Sequence, residues 1–171
     1  MRRRPHSRDL RKGRVSAPWE TYFISKCTEH RRPLLARAVA AEVVIDSLAY
    51  FRTRESIKLL AFVVLPEHFH VLFTLLPGPS LSEILRRSNS YTANRIRDLL
   101  ALDGTVWQDD GFHDHRCRDD DEALAYAEYL EYNPVRRGLV TAPEDWPFSS
   151  AHPSRRHLLD WDWWWGWRTR D

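Results

Sequence analysis

The sequence predicts an α+β fold, a ferredoxin-like or RRM-like sandwich in which helices pack on one antiparallel sheet. Three observations carry that expectation. Segments of strand and helix character follow one another as strand, helix, strand, strand, helix, strand or hairpin, helix. The run IKLLAFVVL, Ile57 to Leu65, is almost continuously apolar, as a strand covered on both faces would be. The 171 residues, 43 % of them apolar, suffice for one domain with a sizeable core and fall short of two.

Taken in order, Trp19 to Thr28 (WETYFISKCT) has the aromatic and β-branched content of a first strand. Leu34, Ala38, Ala41, Ile45 and Leu48 then step by four, three, four and three, the spacing of a buried helix face. Pro66 and Glu67 break the apolar run, and His68 to Leu76 resumes as the second arm of a hairpin. Pro77 to Ser80 is a turn. Ser80, with Glu83 three residues on, forms a capping box for a second helix reaching Leu100. Val106 to Arg118 reads as strand or hairpin. Asp119, Asp120 and Asp121 cap and charge the start of a third helix. That helix is expected to run through Tyr132 and stop before Pro134, because the residue preceding a proline is pushed out of the α region. The tail DWDWWWGWRTRD matches no element. These limits divide the chain into a basic arm (1–18), a domain (19–150) and a Trp-rich tail (151–171).

The formal net charge is only +2, but seven basic residues against one acid crowd the first fourteen positions. Such an arm is either a solvated tail or a segment that seeks phosphate. Cys27 and Cys117 show no CxxC spacing and no disulfide framework, which fits a reducing, cytoplasmic setting. No apolar run reaches membrane length.

The stretch LPEHFHVLFT interrupts a strand with two histidines. Residues two apart in a strand share a face, so His68 and His70 point together while Phe69, Val71 and Phe73 point away. Two neutral imidazoles side by side suit a divalent cation, given a third ligand; without one, each is an ordinary hydrogen-bonded histidine. The third helix offers that ligand. Of Tyr126, Tyr129 and Tyr132, only Tyr129 has a carboxamide, Asn133, one turn along the same face. The histidines and the amide oxygen would hold the metal, with the Tyr129 phenol beside it as nucleophile. His113 and His115 repeat the spacing in an acidic, glycine-containing segment that reads as a loop, a second site or a neighbour of the first. His30, His152 and His157 stand alone. Tyr91, with Asn94 and Arg95 near it, is the rival nucleophile.

In the order LPEHFH, central helix, VWQ, YLEYNPVRRGLV and EDWPFSS, the chain resembles the REP-associated tyrosine transposases, single-tyrosine members of the HUH class of DNA-cleaving enzymes. The resemblance spans roughly Trp19 to Ser150 and implies the HUH endonuclease fold. It implies that His68, His70 and Asn133 bind Mg²⁺ or Mn²⁺ and that Tyr129 attacks single-stranded DNA bearing REP-like hairpins. Attack would leave a 5′-phosphotyrosine and a free 3′-OH, an intermediate able to rejoin strands without ATP. The chain departs from the family's usual pattern at Glu67, where Asn or Asp is common, and at Asp109 and Asp110, where a basic pair is common.

For grip on DNA, Arg86, Arg87, Asn94 and Arg97 spread over the polar side of the second helix, either as a solvated face or as a phosphate-binding one. Arg136 and Arg137 add to that surface, and Trp107 and the tail tryptophans are candidates for base stacking or, equally, for core or a dimer contact. Two other readings stay open at this level. One is a non-catalytic module binding single-stranded nucleic acid on the same fold. The other is a hydrolytic metallonuclease in which water attacks and Tyr129 is merely packed. Monomer and homodimer are equally compatible with the sequence.

Overall fold

The computed structural model describes residues 16–109 and 112–168. The basic arm therefore lies largely outside the described residues, as does Asp110. Four strands form one antiparallel sheet: β1 (Thr21–Cys27), β2 (Ile57–Leu65), β3 (His68–Leu75) and β4 (His113–Arg116), in the order β2-β3-β1-β4. Helix α1 (Ala38–Thr53) joins β1 to β2, and α2 (Leu81–Leu100) joins β3 to β4. This is the ferredoxin-like arrangement expected. Helix α3 (Asp120–Arg136) follows β4, and a short α4 (Trp161–Arg168) comes last.

The alternation of strand side chains assigns each helix to a face. Tyr22, Ile24, Phe62, Val64, Phe69, Val71 and Phe73 build one core with residues of α1 and α2. Phe23, Ala61, Val63, Leu65 and Leu72 build the other with Ala123, Ala127 and Leu130 of α3. β2 is buried on both sides, and its register shifts between Leu59 and Ala61, a bulge that moves Leu60 to the α3 side. The His68 side chain therefore faces α3, opposite Leu65 and Cys27, and His70 lies between Val63 and Ser25.

Helix ends follow their chemistry. The Ser80 side chain accepts from the Glu83 amide and the Asp119 side chain from the Glu122 amide. At the other end of α3 the expectation needs correction: the helix passes through Pro134 and ends at Arg136. The stop is Gly138, at φ +67°, with its amide bonded to the Val135 carbonyl and the Leu139 amide to the Pro134 carbonyl. Those two bonds make a Schellman closure, which satisfies the last carbonyls. Pro134 lies in the final turn, so its missing N–H costs one intrahelical bond near the end and does not break the helix.

The region expected to be strand or hairpin contributes only β4, beside a bridge between Thr28 and Trp107. The Trp-rich tail, given no element from sequence, contributes α4. Trp164 is fully buried in the α3-side core, with Trp161 and Trp163 packed around it. The segment leading there seals the outer edge of β2. Ser150 exchanges bonds with Phe62, the Val64 amide donates to the Phe148 carbonyl, and the Trp146 indole N–H donates to the Val64 carbonyl. Asp160 accepts from the Leu59 amide and from Arg52. An otherwise open strand edge is thereby closed.

Candidate active site

The antiparallel register carries His68 and His70 onto the α3 side of β3, where α3 lies over them. Both rings are about nine-tenths buried, each 8 % exposed. Their Nε2 atoms stand 3.1 Å apart. His68 Nδ1 lies 3.1 Å from Glu67 Oε1, and the same carboxylate oxygen accepts from Arg137 Nη1 at 2.5 Å. His70 Nδ1 is buried with no hydrogen-bond partner.

Burial sets the charge of this pair. It pushes the His70 pKa down to about 3, aided by the neighbouring His68 and His113. Burial also lowers His68, partly offset by the Glu67 charge and hydrogen bond. For Glu67, burial alone would raise the carboxyl, but the Arg137 hydrogen bond and the charges of His68 and Arg137 outweigh it and hold it below the ordinary value. At neutral pH the site thus presents two neutral imidazoles and an ionised carboxylate.

The Tyr129 ring, half exposed, meets His70 at 5.9 Å between centroids and Phe23 at 6.3 Å. Tyr126 instead lies flat on Phe23 at 4.4 Å, and burial followed by the Glu122 charge raises its phenol pKa. Tyr126 also meets His115 at 5.5 Å and is half-buried, whereas Tyr129 is exposed and lies against His70 of the facing pair. The Arg136 guanidinium lies 4.4 Å over the Tyr129 ring, and its Nη2 donates to the Tyr129 carbonyl. Asn133 is buried on α3 one turn beyond Tyr129.

The remaining predicted residues divide sharply. Arg86, Arg87, Asn94 and Arg97 are exposed, but α2 packs on the opposite face of the sheet. The same placement takes Tyr91 away from the histidines. Trp107 is 5 % exposed, packed on Phe69, with its indole N–H donated to Thr92, so it has no face to offer a base. That stacking role is withdrawn. His113 and His115 lie opposite Ser25 and Phe23 on the α3 side, so they neighbour the first pair. His115 is bonded to Glu122 at 3.1 Å. Sequence reasoning missed Phe23, which supports Tyr126, Tyr129 and His70 together. Its alternation with Ser25 and Cys27 in WETYFISKC is the only signal that places it on that face.

The site chemistry fits a divalent cation. Two facing Nε2 atoms with no proton between them repel, whereas two ligands at right angles on an octahedral ion, each about 2.1 Å from it, are about 3.0 Å apart. The unpartnered His70 Nδ1 fits too, since a cation at Nε2 would leave the proton there. Among the described residues no three His, Cys, Asp or Glu side chains converge as a metal cluster.

The family model described as "Transposase IS200 like" matches residues 21–133. The chain belongs to the IS200-like transposases. The match reaches from β1 to Asn133 and so includes both histidines and Tyr129. Among relatives of this IS200-like chain, a REP-associated tyrosine transposase of Escherichia coli (strain K12) is 27 % identical over 144 residues, 84 % of each protein. A Haemophilus influenzae protein provisionally assigned to the same group is 29 % identical over 119 residues, 61 % of this chain and 65 % of that one. In structure, a REP-associated tyrosine transposase bound to a REP hairpin superposes with a TM-score of 0.64 at 26 % identity, covering 88 % of each chain. No helix among the described residues is long and apolar enough to cross a membrane.

Proposed function

We propose that the protein is a metal-dependent tyrosine endonuclease and strand transferase acting on single-stranded, hairpin-bearing DNA of the REP type, in the cytoplasm. The observation that carries this reading is the contact between Tyr129 and His70 beside a second histidine, all in one chain. The likeness to a relative solved on a REP hairpin supports the substrate class. No second copy is needed to bring these side chains together.

In this reading His68, His70 and Asn133 hold Mg²⁺ or Mn²⁺, which supplies Lewis acidity at a phosphate oxygen when bound. His68 and His70 stay neutral through burial and keep lone pairs available at neutral pH. Phe23 and Arg136 both contact the Tyr129 ring and orient it. Tyr129 Oη bonds to phosphorus as the P–O3′ bond breaks, the phenol proton leaves to water, and the departing 3′-oxygen takes up a proton. The 5′-phosphotyrosine conserves the bond energy, so a 3′-OH attacking it restores the phenol and joins strands. Arg86, Arg87, Asn94 and Arg97 contact DNA phosphates away from the reacting centre, and Arg136 and Arg137 flank it.

The test is incubation with 5′- and 3′-labelled single-stranded hairpins in Mg²⁺ or Mn²⁺, resolved on denaturing gels beside Tyr129→Phe and a chelator control. A protein–DNA band that requires metal and disappears in the variant is expected. Cleavage that survives in Tyr129→Phe would assign attack to water. Binding of REP-type hairpins without any cleavage would make the chain a non-catalytic binding module.

A further inference from the structure

Glu67 stands directly before His68 in the β2–β3 turn, and Arg137 caps the C-terminal end of α3, seventy positions later. Their ion pair spans the turn that carries the histidines and the helix that carries Tyr129. A carboxylate can only accept, so the 3.1 Å contact from His68 Nδ1 requires the proton to sit on Nδ1. His68 Nε2 is then a bare lone pair. The Nε2 of His70 faces that lone pair at 3.1 Å.

We infer that Glu67 and Arg137 are positioning residues that fix His68 in the Nδ1–H tautomer and hold the histidine turn against the nucleophile helix. The inference rests on the reading that the two histidines receive a divalent cation. Glu67 acts through His68, as carboxylates behind metal-ligating histidines do. Arg137 acts through Glu67. Its guanidinium neutralises a carboxylate that would otherwise be buried beside neutral rings, and aims one oxygen at two donors. Glu67 side-chain exposure is 15 % and that of Arg137 is 37 %, so the pair is partly shielded from the screening that weakens surface ion pairs. A surface role in fold stability alone would leave the His68 tautomer untouched, which separates the two accounts.

Three variants test this: Glu67→Ala, Arg137→Met and Arg137→Lys. The imidazole tautomers are read by long-range ¹H–¹⁵N correlation in chelator, Mn²⁺ affinity by the free-ion electron paramagnetic resonance signal, and folding by thermal melts. Wild type should show His68 as the Nδ1–H form. Glu67→Ala should mix the His68 tautomers and weaken Mn²⁺ about tenfold or more. Arg137→Met should weaken Mn²⁺ several-fold, with most of the loss recovered in Arg137→Lys. Unchanged tautomer and unchanged Mn²⁺ affinity in a folded Glu67→Ala protein would overturn the inference. So would an Arg137→Met protein that loses only hairpin affinity in chelator, since Arg137 would then serve DNA alone. If wild type binds no Mn²⁺, the metal reading fails by itself, and the tautomer comparison still decides whether Glu67 sets His68.

Discussion

Arg136 covers the face of the Tyr129 ring at 4.4 Å and donates to the carbonyl of the same residue, so one side chain holds both ends of Tyr129. The same ring meets Phe23 and His70 at steep angles, 6.3 and 5.9 Å between centroids. An aromatic–cation contact contributes about 0.5–2 kcal/mol, depending on exposure. Arg136→Ala should therefore slow formation of the protein–DNA adduct by about 3- to 30-fold under single-turnover conditions at saturating DNA. Arg136→Lys, which keeps charge but loses the flat guanidinium, should fall between. An unchanged rate in Arg136→Ala would mean that the two rings suffice to hold Tyr129.

Acid sensitivity of the metal-free protein should trace to the histidine pair. Burial takes the His70 pKa down to about 3, against about 6.5 for an unfolded histidine. Between those values the unfolded chain binds more protons, so stability rises with pH. The contribution is fully present above about pH 6.5 and is lost as pH falls towards 3. His70→Gln should flatten the slope of unfolding free energy against pH by up to about 1.4 kcal/mol per unit in that window. His68, also depressed by burial, keeps a smaller share of the slope. Urea midpoints from pH 4.5 to 7.5 in chelator supply the measurement, and parallel curves for wild type and variant would contradict it.

The Trp-rich helix should behave as core. Trp164 is fully buried among Phe23-side residues of the sheet and α3, whereas its neighbour Trp165 is half exposed. Trp164→Ala should cost about 3–5 kcal/mol, the range for truncating a buried aromatic. Trp165→Ala should cost less than about 1 kcal/mol. Equal effects in denaturant unfolding would show that the helix does not pack as described.

The parts of this molecule that were legible in its sequence are those written in local period. The two-residue spacing of His68 and His70, the apolar run of β2 and the Ser80–Glu83 cap each depend on neighbours a few positions away. The order of elements then leaves few topologies, and the ferredoxin-like one was among them. What failed was tertiary. Trp107 reads as an exposed aromatic until the Thr28 bridge and Thr92 enclose it. The side of the sheet occupied by α2 depends on how the chain crosses between β3 and β4, which no amphipathic pattern encodes. The Glu67–Arg137 pair and the sealing of β2 by Phe148 and Ser150 join segments about seventy to ninety positions apart. Pro134 failed differently, because a local rule against proline was outweighed by the Schellman closure at Gly138, about one turn later.

Under the proposed function, the placement of α2 would separate DNA grip from chemistry. Arg86 and Arg97 are exposed on α2, with Asn94 bonded to Arg97 at 2.7 Å, and all lie across the sheet from His68, His70 and Tyr129. Phosphate contacts made there would add to affinity through counterion release, each steepening the salt dependence by about one unit of log–log slope. They would not touch the reacting phosphate. Arg86→Ala and Arg97→Ala should each weaken hairpin binding and shallow the salt slope by about one. Adduct formation at saturating DNA should stay at the wild-type rate, unlike in Arg136→Ala. Titrations between 50 and 200 mM salt, paired with single-turnover adduct assays, distinguish the outcomes. A salt slope unchanged in both variants would return this face of α2 to a plain solvated surface, and a slowed adduct step would mean that DNA bound there is coupled to Tyr129 through the sheet.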